Sequence, residues 1–360
     1  MQKNKTINVI IFGIGNVGSE LIRQINTATY KLNQEQNIDL KIPIITNSRL
    51  AFFKEDTISN SWETDFYSFS VPFKIEEILS YVKDKNLENL IAIDATASQE
   101  FVENYTTLAQ NGFHIVSANK FGNALNYQFY ETFRETLKKN NTHFFYETHV
   151  GAGLPIIETV KNLNNSGEEV EKIKGVFSGS LSFIFNEFSK NDIEFSKVVS
   201  RATTLGLTEP DAREDLSGND VARKLLILAR ELNLKLELSD VNIESLVPNN
   251  LNGKTTLHQF KSRIRELDQS FLKLKTSQKA NYVLRYIGEL NVVSQTLEVK
   301  LVSEKTNSTL GNLSGSDALF EIYTKSYGEN PIVIQGAGAG KEVTARGLFS
   351  DVIKLSNHLN

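Results

Sequence analysis

The sequence predicts a two-domain α/β protein, in which an N-terminal domain with a parallel sheet precedes an α+β domain with a mixed sheet. Residues 7–12 form an apolar run interrupted only by Asn8, which is typical of a strand buried on both faces, and a helical pattern follows it. Residues 282–290 and 296–303 instead alternate apolar and polar side chains, which indicates half-exposed strands. A chain of 360 residues is long enough for two such domains and a sizeable core.

The composition is that of an ordinary globular protein, with 40% hydrophobic and 23% charged residues. The formal net charge of −4 gives no electrostatic basis for binding nucleic acid or a membrane surface. The first strand begins too close to the N-terminus to leave room for a signal peptide, and no apolar run approaches ~18 residues. We therefore expect a cytoplasmic protein that acts on a small molecule.

The absence of cysteine narrows the chemistry further. Disulfides, iron–sulfur clusters and thiolate metal sites are excluded, and the five scattered histidines show no metal-ligand spacing. The thiohemiacetal route by which dehydrogenases oxidise aldehydes to acids or acyl phosphates is excluded as well. If the protein handles an aldehyde, the expected reaction is the interconversion of aldehyde and alcohol.

A glycine-rich loop joins the first strand to the first helix. Its residues are Gly13, Ile14, Gly15, Asn16, Val17 and Gly18. Glycines at this spacing permit a tight turn, close approach of the backbone to a pyrophosphate and tight helix–strand packing, while the helix N-terminus supplies N–H donors. Such a motif is weak evidence alone, but its place between a buried strand and a helix predicts a Rossmann-type site for a nicotinamide dinucleotide.

The second strand, predicted over residues 38–46, ends without the acidic residue that usually binds the ribose 2′-hydroxyl of NAD. Arg49 follows instead and favours NADP through its 2′-phosphate, with NAD still possible. The alternative is a surface arginine in a polar loop. Residues 52–70, rich in Ser, Thr, Asp and aromatics, are predicted to be irregular.

Further polar residues follow two later strands, predicted at 90–94 and 114–116, with a helix over 99–111 between them. Because carboxyl ends of parallel strands line the cofactor crevice, the residues after them are predicted cofactor contacts. They are Thr96, Ser98, Ser117 and Lys120. The alternative for the lysine is a surface side chain that opens a helix.

Residues 204–224 combine a predicted acidic loop with a helix that carries a lysine. The loop holds Glu209, Asp211, Glu214 and Asp215. Ser217 is a good N-cap, which predicts a helix starting there, with Asp220 completing an approximate capping box. Apolar side chains at helical spacing follow at Val221, Leu225, Leu228 and Leu232.

This pattern places Lys224 on the shoulder of the buried helix face, one turn after Asp220. A lysine held against carboxylates and partly desolvated is a candidate proton-transfer group, because the two environments shift its pKa in opposite directions. The alternative is an exposed acidic turn followed by a solvated Asp–Lys pair.

The sequence of residues 205–224 closely resembles the signature of homoserine dehydrogenases: Leu-Gly-Leu-Thr-Glu-Pro-Asp-Ala-Arg-Glu-Asp-Leu-Ser-Gly-Asn-Asp-Val-Ala-Arg-Lys. The resemblance implies that Glu209, Asp215 and Asp220 hold an amino-aldehyde substrate. It also implies that Lys224 serves the hydride-transfer step. Ala212 departs from the family, which usually has a second proline there, and this affects loop stiffness only.

Other segments resemble the same family. Residues 117–120 match a motif whose lysine, here Lys120, lies close to cofactor and substrate, and residues 178–185 match a turn that places Gly179 and Ser180 near the substrate. In residues 144–155 the resemblance implies that backbone carbonyls bind a monovalent cation, Na⁺ or K⁺. The matching positions are Glu147, Val150, Ala152 and Leu154. A glycine-rich hinge is the alternative, and the two are compatible.

The predicted division is a dinucleotide-binding domain over 1–150, a substrate-binding and dimerisation domain over 151–335, and a terminal segment over 336–360 that returns to the first domain. The second glycine-rich loop, ending at Gly340, is a candidate cover for the nicotinamide. The half-exposed sheet favours a homodimer, as in the family. Because the chain ends soon after its last helix, we expect a short monofunctional form without a regulatory domain.

The expected reaction is therefore NAD(P)H-dependent reduction of L-aspartate 4-semialdehyde to L-homoserine, in threonine and methionine biosynthesis. Without the family resemblance, the residue patterns predict only a two-domain nicotinamide dehydrogenase with a lysine and carboxylate site. Another lysine-dependent amino-acid dehydrogenase and a non-catalytic NADP-binding sensor are the alternatives. Aspartate-semialdehyde dehydrogenase would require a cysteine, which the chain lacks.

Overall fold

The computed structural model describes residues 4–253 and 255–359. Two compact units divide the chain. Unit one runs up to Gly153 and includes the segment from Gly340 onward, whereas unit two is Leu154–Ala339. Among the described residues, no helix has both the length and the apolar character needed to cross a bilayer.

Unit one contains a seven-stranded sheet in which five strands pair in parallel and two further strands are added at one edge by antiparallel pairing. The strands are β1 (Lys5–Phe12), β2 (Ile38–Thr46), β3 (Leu50–Phe53), β4 (Val71–Pro72), β5 (Leu90–Asp94), β6 (His114–Ser117) and β7 (Phe144–Phe145). Their spatial order is β4-β3-β2-β1-β5-β6-β7. The helices are α1 (Asn16–Glu35), α2 (Trp62–Phe69), α3 (Ile75–Asp84), α4 (Gln99–Val102), α5 (Tyr105–Gln110), α6 (Phe121–Ala124) and α7 (Tyr127–Lys139).

The order of the strands reverses at β1, which lies between β2 and β5. The carboxyl ends of these three strands are joined by backbone hydrogen bonds, from Gly13 N to Thr46 O (2.9 Å) and from Ala95 N to Phe12 O (2.9 Å). Ligands of open α/β sheets bind outside such a reversal point. We call this region the strand-end edge; it comprises residues 13–18, 46–49, 95–98 and 117–120.

Several sequence predictions for unit one are confirmed, including the strands at 38–46 and 90–94. The irregular excursion expected at 52–70 is wrong, because it contains the end of β3 and helix α2, which buries Trp62 and Phe66. The single helix expected over 99–111 is broken into α4 and α5. The side chain of Asn104 donates to Phe101 O (3.0 Å) at the break, a local bond that competes with helix continuation.

Unit two combines helices with a six-stranded mixed sheet of order β13-β12-β8-β10-β11-β9. The helices are α8 (Ile156–Asn165), α9 (Gly179–Lys190), α10 (Phe195–Thr204), α11 (Ala212–Leu216), α12 (Asn219–Glu231), α13 (Leu257–Arg263) and α14 (Asp268–Thr276). The strands are β8 (Val170–Val176), β9 (Val241–Ile243), β10 (Tyr282–Asn291), β11 (Thr296–Lys305), β12 (Asp317–Thr324) and β13 (Ile332–Ala337). Of the pairs formed, β9 with β11 is parallel and the others are antiparallel.

One face of this sheet packs closely against α12. Gly288 on β10 allows that approach, since a Cβ there would lie 3.0 Å from the side chains of both Phe177 and Val221. The opposite face carries charged pairs, such as Lys174 with Glu304 (2.5 Å). The sheet is therefore two-sided, with one face buried under helices and the other polar except for a buried apolar cluster of Val176, Ile287 and Leu319.

The last helix, α15 (Lys341–Ser356), belongs to unit one and packs against α1. Gln24 donates from Nε2 to Glu342 O (3.0 Å) across that contact. A Cβ on Gly347 would come 2.5 Å from the methyl group of Thr148, and one on Gly153 would come 2.8 Å from Val343 O. Close packing between α15 and the loop at 147–153 therefore requires glycine at both positions.

Candidate active site

Glycine occurs at the three motif positions of the strand-end edge for different structural reasons. Gly13 has φ +96°, and a Cβ there would lie 2.9 Å from the methyl group of Thr96. A Cβ on Gly18 would lie 1.9 Å from Gly13 O, which is a severe clash. At Gly15, by contrast, a Cβ would meet no protein atom within 4 Å. The fold itself thus requires Gly13 and Gly18, whereas Gly15 borders open space at the N-terminus of α1.

This open space fits a dinucleotide. Gly15 is the N-cap of the 20-residue α1, and its first turn carries no acidic side chain that would repel a phosphate. The N–H groups of a helix N-terminus and its dipole both favour an anion. Ile14 precedes this N-cap, and Asn16 and Val17 are the first two residues of the helix.

The residues that follow β5 are tied to one another. Thr96 N donates to Asp94 Oδ1 (2.8 Å), and Ser98 N donates to Thr96 Oγ1 (3.2 Å). The hydroxyl of Ser98 accepts from Phe101 N (3.1 Å) and so caps α4. Thr96 and Ser98 are both partly exposed at the edge, as expected for side chains that could meet a ligand.

Beneath this edge lies a buried polar network that the sequence did not reveal. Tyr105 donates its hydroxyl to Asp94 Oδ2 (2.7 Å) and lies 2.7 Å from Ser117 Oγ. Burial raises the pKa of Asp94, although hydrogen bonds from Thr96, Tyr105 and Asn119 oppose that rise. Ser117 is fully buried within the network. Its side chain is therefore engaged within the network, and the cofactor contact of Ser117 stays a prediction.

Three other predicted cofactor residues lie at the rim of unit one. Arg49 is exposed, in a turn where Asn47 Oδ1 accepts from Arg49 N (2.8 Å). Lys120 is partly exposed and is the N-cap of α6. Gly340 has φ +118° and is the N-cap of α15, so glycine is favoured there by the backbone.

The loop proposed for a cation contains two consecutive left-handed residues, Gly151 (φ +79°) and Ala152 (φ +54°). Carbonyl oxygens are suitable ligands for a hard cation. Glu147 O already accepts from Val150 N (3.3 Å), and Leu154 O, in unit two, accepts from Ile156 N (2.9 Å). A carbonyl has two lone pairs, so each of these two oxygens can accept from a further partner.

In unit two, Lys224 is the centre of a group of polar side chains. Its Nζ lies 2.7 Å from Asp220 Oδ2 and donates to Phe177 O at 2.8 Å. The lysine is only 7% exposed, whereas the Asp220 side chain is 42% exposed. The predicted position on the shoulder of a buried helix face and the predicted ion pair are both confirmed.

The start of this helix differs from the sequence prediction. Helix α12 begins at Asn219, and its N-cap is Gly218 with φ +80°, not Ser217. A Cβ on Gly218 would lie 2.3 Å from the hydroxyl of Tyr286, so packing as well as φ requires glycine. Ser217 lies one position before this N-cap, and its hydroxyl still accepts from Asn219 N (3.3 Å).

Asp215 connects the acidic segment to the start of α9. Its Oδ1 accepts from Ser180 Oγ (2.6 Å), and its Oδ2 accepts from Glu209 N (2.9 Å). Burial raises the pKa of Asp215, and the nearby carboxylate of Asp220 adds to the rise. Gly179 opens α9, where a Cβ would lie 2.9 Å from Ser316 O.

The acidic segment is not a continuous loop as predicted, because Glu214 and Asp215 lie in α11. Arg213, which sequence reasoning did not select, fixes this helix. Its guanidinium binds both oxygens of Asp211 and donates to Thr255 O (2.8 Å). The hydrogen bonds from Arg213 hold the pKa of Asp211 below its ordinary value. The sequence signal that could have identified Arg213 is its position two residues after Asp211.

The structure thus brings Lys224, Asp220, Asp215 and Ser180 together in unit two, along with the backbone of Glu209, whose side chain is exposed. In unit one it brings together the glycine loop and the residues after β5. The two groups differ in kind: one is an open backbone surface, and the other is a set of charged side chains suited to holding an ammonium group and moving a proton.

Comparison with known proteins gives matches that extend over both units. A family model described as homoserine dehydrogenase matches residues 155–353, and one described as homoserine dehydrogenase, NAD binding domain, matches residues 13–147. A bifunctional aspartokinase/homoserine dehydrogenase of Buchnera aphidicola is 38% identical over 353 residues, covering 97% of this chain and 43% of the relative. A maize enzyme of the same description is 36% identical, with 98% and 39% covered. The chain spans about two fifths of the length of these curated relatives.

Solved structures share the fold over the whole chain. A protein of unknown function from Candida auris has a TM-score of 0.88 at 32% identity, with 99% of both chains covered. A hyperthermophilic archaeal homoserine dehydrogenase in complex with NADPH has a TM-score of 0.75 at 21% identity, again with 99% of both covered. The second likeness shows the fold alone. Because the first family model by itself matches more than half of the residues, the chain belongs to the homoserine dehydrogenase family.

Proposed function

We propose that this chain reduces L-aspartate 4-semialdehyde to L-homoserine with NAD(P)H, a step of threonine and methionine biosynthesis. The observation that carries the proposal is the position of Lys224 Nζ, held by Asp220 and by Phe177 O on a buried helix face. Family membership and the curated relatives support the choice of substrate. The proposed division of labour gives dinucleotide binding to unit one and substrate binding to unit two.

The proposed cofactor is NADP, with NAD possible. Residues 13–18 would hold the pyrophosphate, and Arg49 the 2′-phosphate of NADP. Thr96, Ser98, Lys120 and Gly340 are assigned to the nicotinamide end. The NADPH complex of the archaeal relative supports this cofactor class. When bound, the nicotinamide supplies the hydride that reduces the aldehyde.

Lys224 has the proton-transfer role in this proposal. The Lys224 ammonium carries three N–H donors, and in this proposal one of them is donated to the substrate oxygen. The proton then passes from Nζ to the oxygen as alkoxide character develops. Asp220 is partly exposed, so it can help to restore the proton from water. Lys120, in unit one, is proposed as the second catalytic lysine.

The amino group of the substrate is assigned to the acidic segment. Asp215 and Asp220 are carboxylates within reach of the same helix end, and the exposed side chain of Glu209 has freedom to close on an ammonium group. Ser180 orients Asp215 through a 2.6 Å hydrogen bond, and Gly179 precedes it as the first residue of α9. A charge-assisted hydrogen bond of this type contributes roughly 1.5–3 kcal/mol.

The proposal has three further parts, which concern a dimer contact, a cation site and the cellular location. The polar face of the unit two sheet is assigned to a homodimer contact. The carbonyls of Glu147, Val150, Ala152 and Leu154 are assigned to a monovalent cation. A cytoplasmic location completes the proposal, with neither nucleic acid nor membrane as a partner.

The direct test measures NADPH oxidation with L-aspartate 4-semialdehyde and repeats it with NADH. We expect turnover with the purified chain and almost none with the Lys224→Ala variant. Cofactor binding without turnover on any amino-aldehyde would identify a sensor instead. Faster turnover of a different amino-aldehyde in a substrate panel would identify another lysine-dependent dehydrogenase.

A further inference from the structure

Asn119 lies at the strand-end edge and is not accounted for by the proposed roles. It lies between the end of β6 and Lys120, and it is only 2% exposed. A buried amide that turns away from the surface is costly unless its hydrogen bonds are satisfied. Its partners therefore indicate what the side chain does.

The two N–H groups of the Asn119 amide are both used. Nδ2 donates to Ser98 O at 2.7 Å and to Asp94 Oδ2 at 2.9 Å, and it lies 3.3 Å from Thr96 Oγ1. All three partners belong to the end of β5 or the loop that follows it. A single side chain from the loop after β6 therefore binds the neighbouring loop at three points.

The other polar atoms of Asn119 fix its own loop. Its main-chain N–H donates to Ser117 Oγ (2.9 Å), and Oδ1 accepts from Phe121 N (3.3 Å) in the first turn of α6. Lys120 lies between these two anchored neighbours. The backbone from which the lysine projects is thus held to the same network as the loop after β5.

The acceptor at the base of this arrangement is itself fixed. Asp94 ends a buried strand, and it also accepts from Thr96 N (2.8 Å) and from the Tyr105 hydroxyl (2.7 Å). Hydrogen bonds to a carboxylate are stronger than those between neutral groups. Asn119 is therefore attached to a rigid acceptor and not to a mobile surface group.

We propose that Asn119 is a positioning residue for the nicotinamide end of the cofactor, holding the Thr96–Ser98 loop and Lys120 in fixed relation. The inference rests on the proposed function, which assigns Thr96, Ser98 and Lys120 to that end. Asn119 acts through these neighbours, since its own side chain is buried. The adenosine end, assigned to residues 13–18 and to Arg49, does not depend on it.

The test compares the binding of two ligands by fluorescence or calorimetric titration: NADPH and 2′-phospho-ADP-ribose, which lacks the nicotinamide. In Asn119→Asp, the carboxylate has no N–H and places a second negative charge beside Asp94 and Ser98 O. We expect the Kd for NADPH to rise about tenfold and that for the fragment to change by less than about twofold. A residue that only stabilises the unit would weaken both ligands equally.

Asn123→Asp is the matched control, because Asn123 is equally buried but contacts His149 and Arg134 instead. We expect it to leave the ratio of the two Kd values unchanged. Asn119→Ala is the second variant, which removes the donors without adding charge, and it should also weaken NADPH selectively.

Four results would overturn the proposal. They are equal weakening of both ligands, no change in either, the same selective loss in Asn123→Asp, or failure of both Asn119 variants to fold. If the unaltered chain binds neither ligand, the proposed function falls together with this inference. If it binds NADPH but does not turn over aspartate semialdehyde, only the proposed function fails.

Discussion

The strand-end edge of unit one and the Lys224 group of unit two present opposite chemistry. At the edge, the surface assigned to the cofactor consists mainly of backbone and small side chains, with Arg49 and Lys120 at its rim. The carboxylate of Asp94 is turned inward and holds the loops. Around Lys224, the charged groups themselves face one another, with Asp220 at 2.7 Å. One region is therefore suited to recognition by shape and N–H groups, and the other to proton and charge transfer.

The difference has a consequence for substitution. A side chain added at the edge should act by filling space, whereas a side chain removed near Lys224 should act by removing charge. The two regions should also fail separately, since each lies within its own unit. Four substitutions test this contrast, in order of decreasing expected effect.

Gly15→Val should abolish saturable binding of NADPH while leaving the thermal stability of the chain nearly unchanged. No protein atom lies within 4 Å of the added Cβ, so the new side chain projects into the space assigned to the cofactor. Cofactor titration and thermal unfolding provide the two measurements.

Gly18→Ala is the matched control for that result, since its Cβ would lie 1.9 Å from Gly13 O. It should destabilise the fold by on the order of 1–3 kcal/mol through overpacking. Unchanged NADPH affinity in Gly15→Val would remove the edge from the cofactor assignment.

Lys224→Ala should lower kcat by about two orders of magnitude or more, the usual scale for a proton-transfer group. The fold should survive, because the Asp220 side chain is 42% exposed and water can solvate it after the lysine is removed. NADPH affinity, which belongs to unit one, should not change. Steady-state kinetics and cofactor titration separate the two effects.

Lys197→Ala provides the control, because Lys197 also pairs with an acid on a helix, Glu194 at 2.9 Å, but is exposed. It should retain normal kcat. If Lys224→Ala also turned over at a normal rate, Lys224 would be only a structural ion pair.

Glu209→Gln should raise KM for the amino-aldehyde by about tenfold, since one charge-assisted hydrogen bond to an ammonium is lost. The main-chain bond from Glu209 N to Asp215 Oδ2 does not involve the altered side chain, so the loop should keep its shape. A deaminated aldehyde analogue is the control. Equal harm to the analogue would show that Glu209 holds the loop and not the amino group.

The contrast between the regions also explains how far the sequence could predict them. The bounds of β2 and β5, and the Asp220–Lys224 pair, follow from local periodicity, and each of these predictions is confirmed. The cap at Gly218 was missed because its requirement is tertiary: the hydroxyl of Tyr286 occupies the place of a Cβ. Local capping preference favoured Ser217 and could not see that contact.

The same limit applies to Ser117 and Asn119. Ser117 is the last residue of β6 and Asn119 follows it, and position alone predicted that Ser117 contacts the cofactor. Ser117 is buried against Tyr105 of α5, whose hydroxyl lies 2.7 Å from Ser117 Oγ. Some polar residues at a strand end contact a ligand, and others hold neighbouring loops in place. Only the packing decides which of these a residue does.

The smallest expected effect concerns Arg49, because it is exposed and at the rim of the edge. Arg49→Glu should lower the ratio of kcat/KM with NADPH to that with NADH by roughly fivefold, since an exposed ion pair contributes about 1 kcal/mol at most. The effect should shrink as salt is raised, because screening weakens exposed charge pairs. Lys31→Glu is the matched charge reversal, at a comparably exposed site on α1 whose partner is Glu35. If both variants shift the ratio equally, the cause is the net charge of unit one; if neither does, Arg49 is only a turn residue, and the cofactor preference is decided by the backbone of the edge.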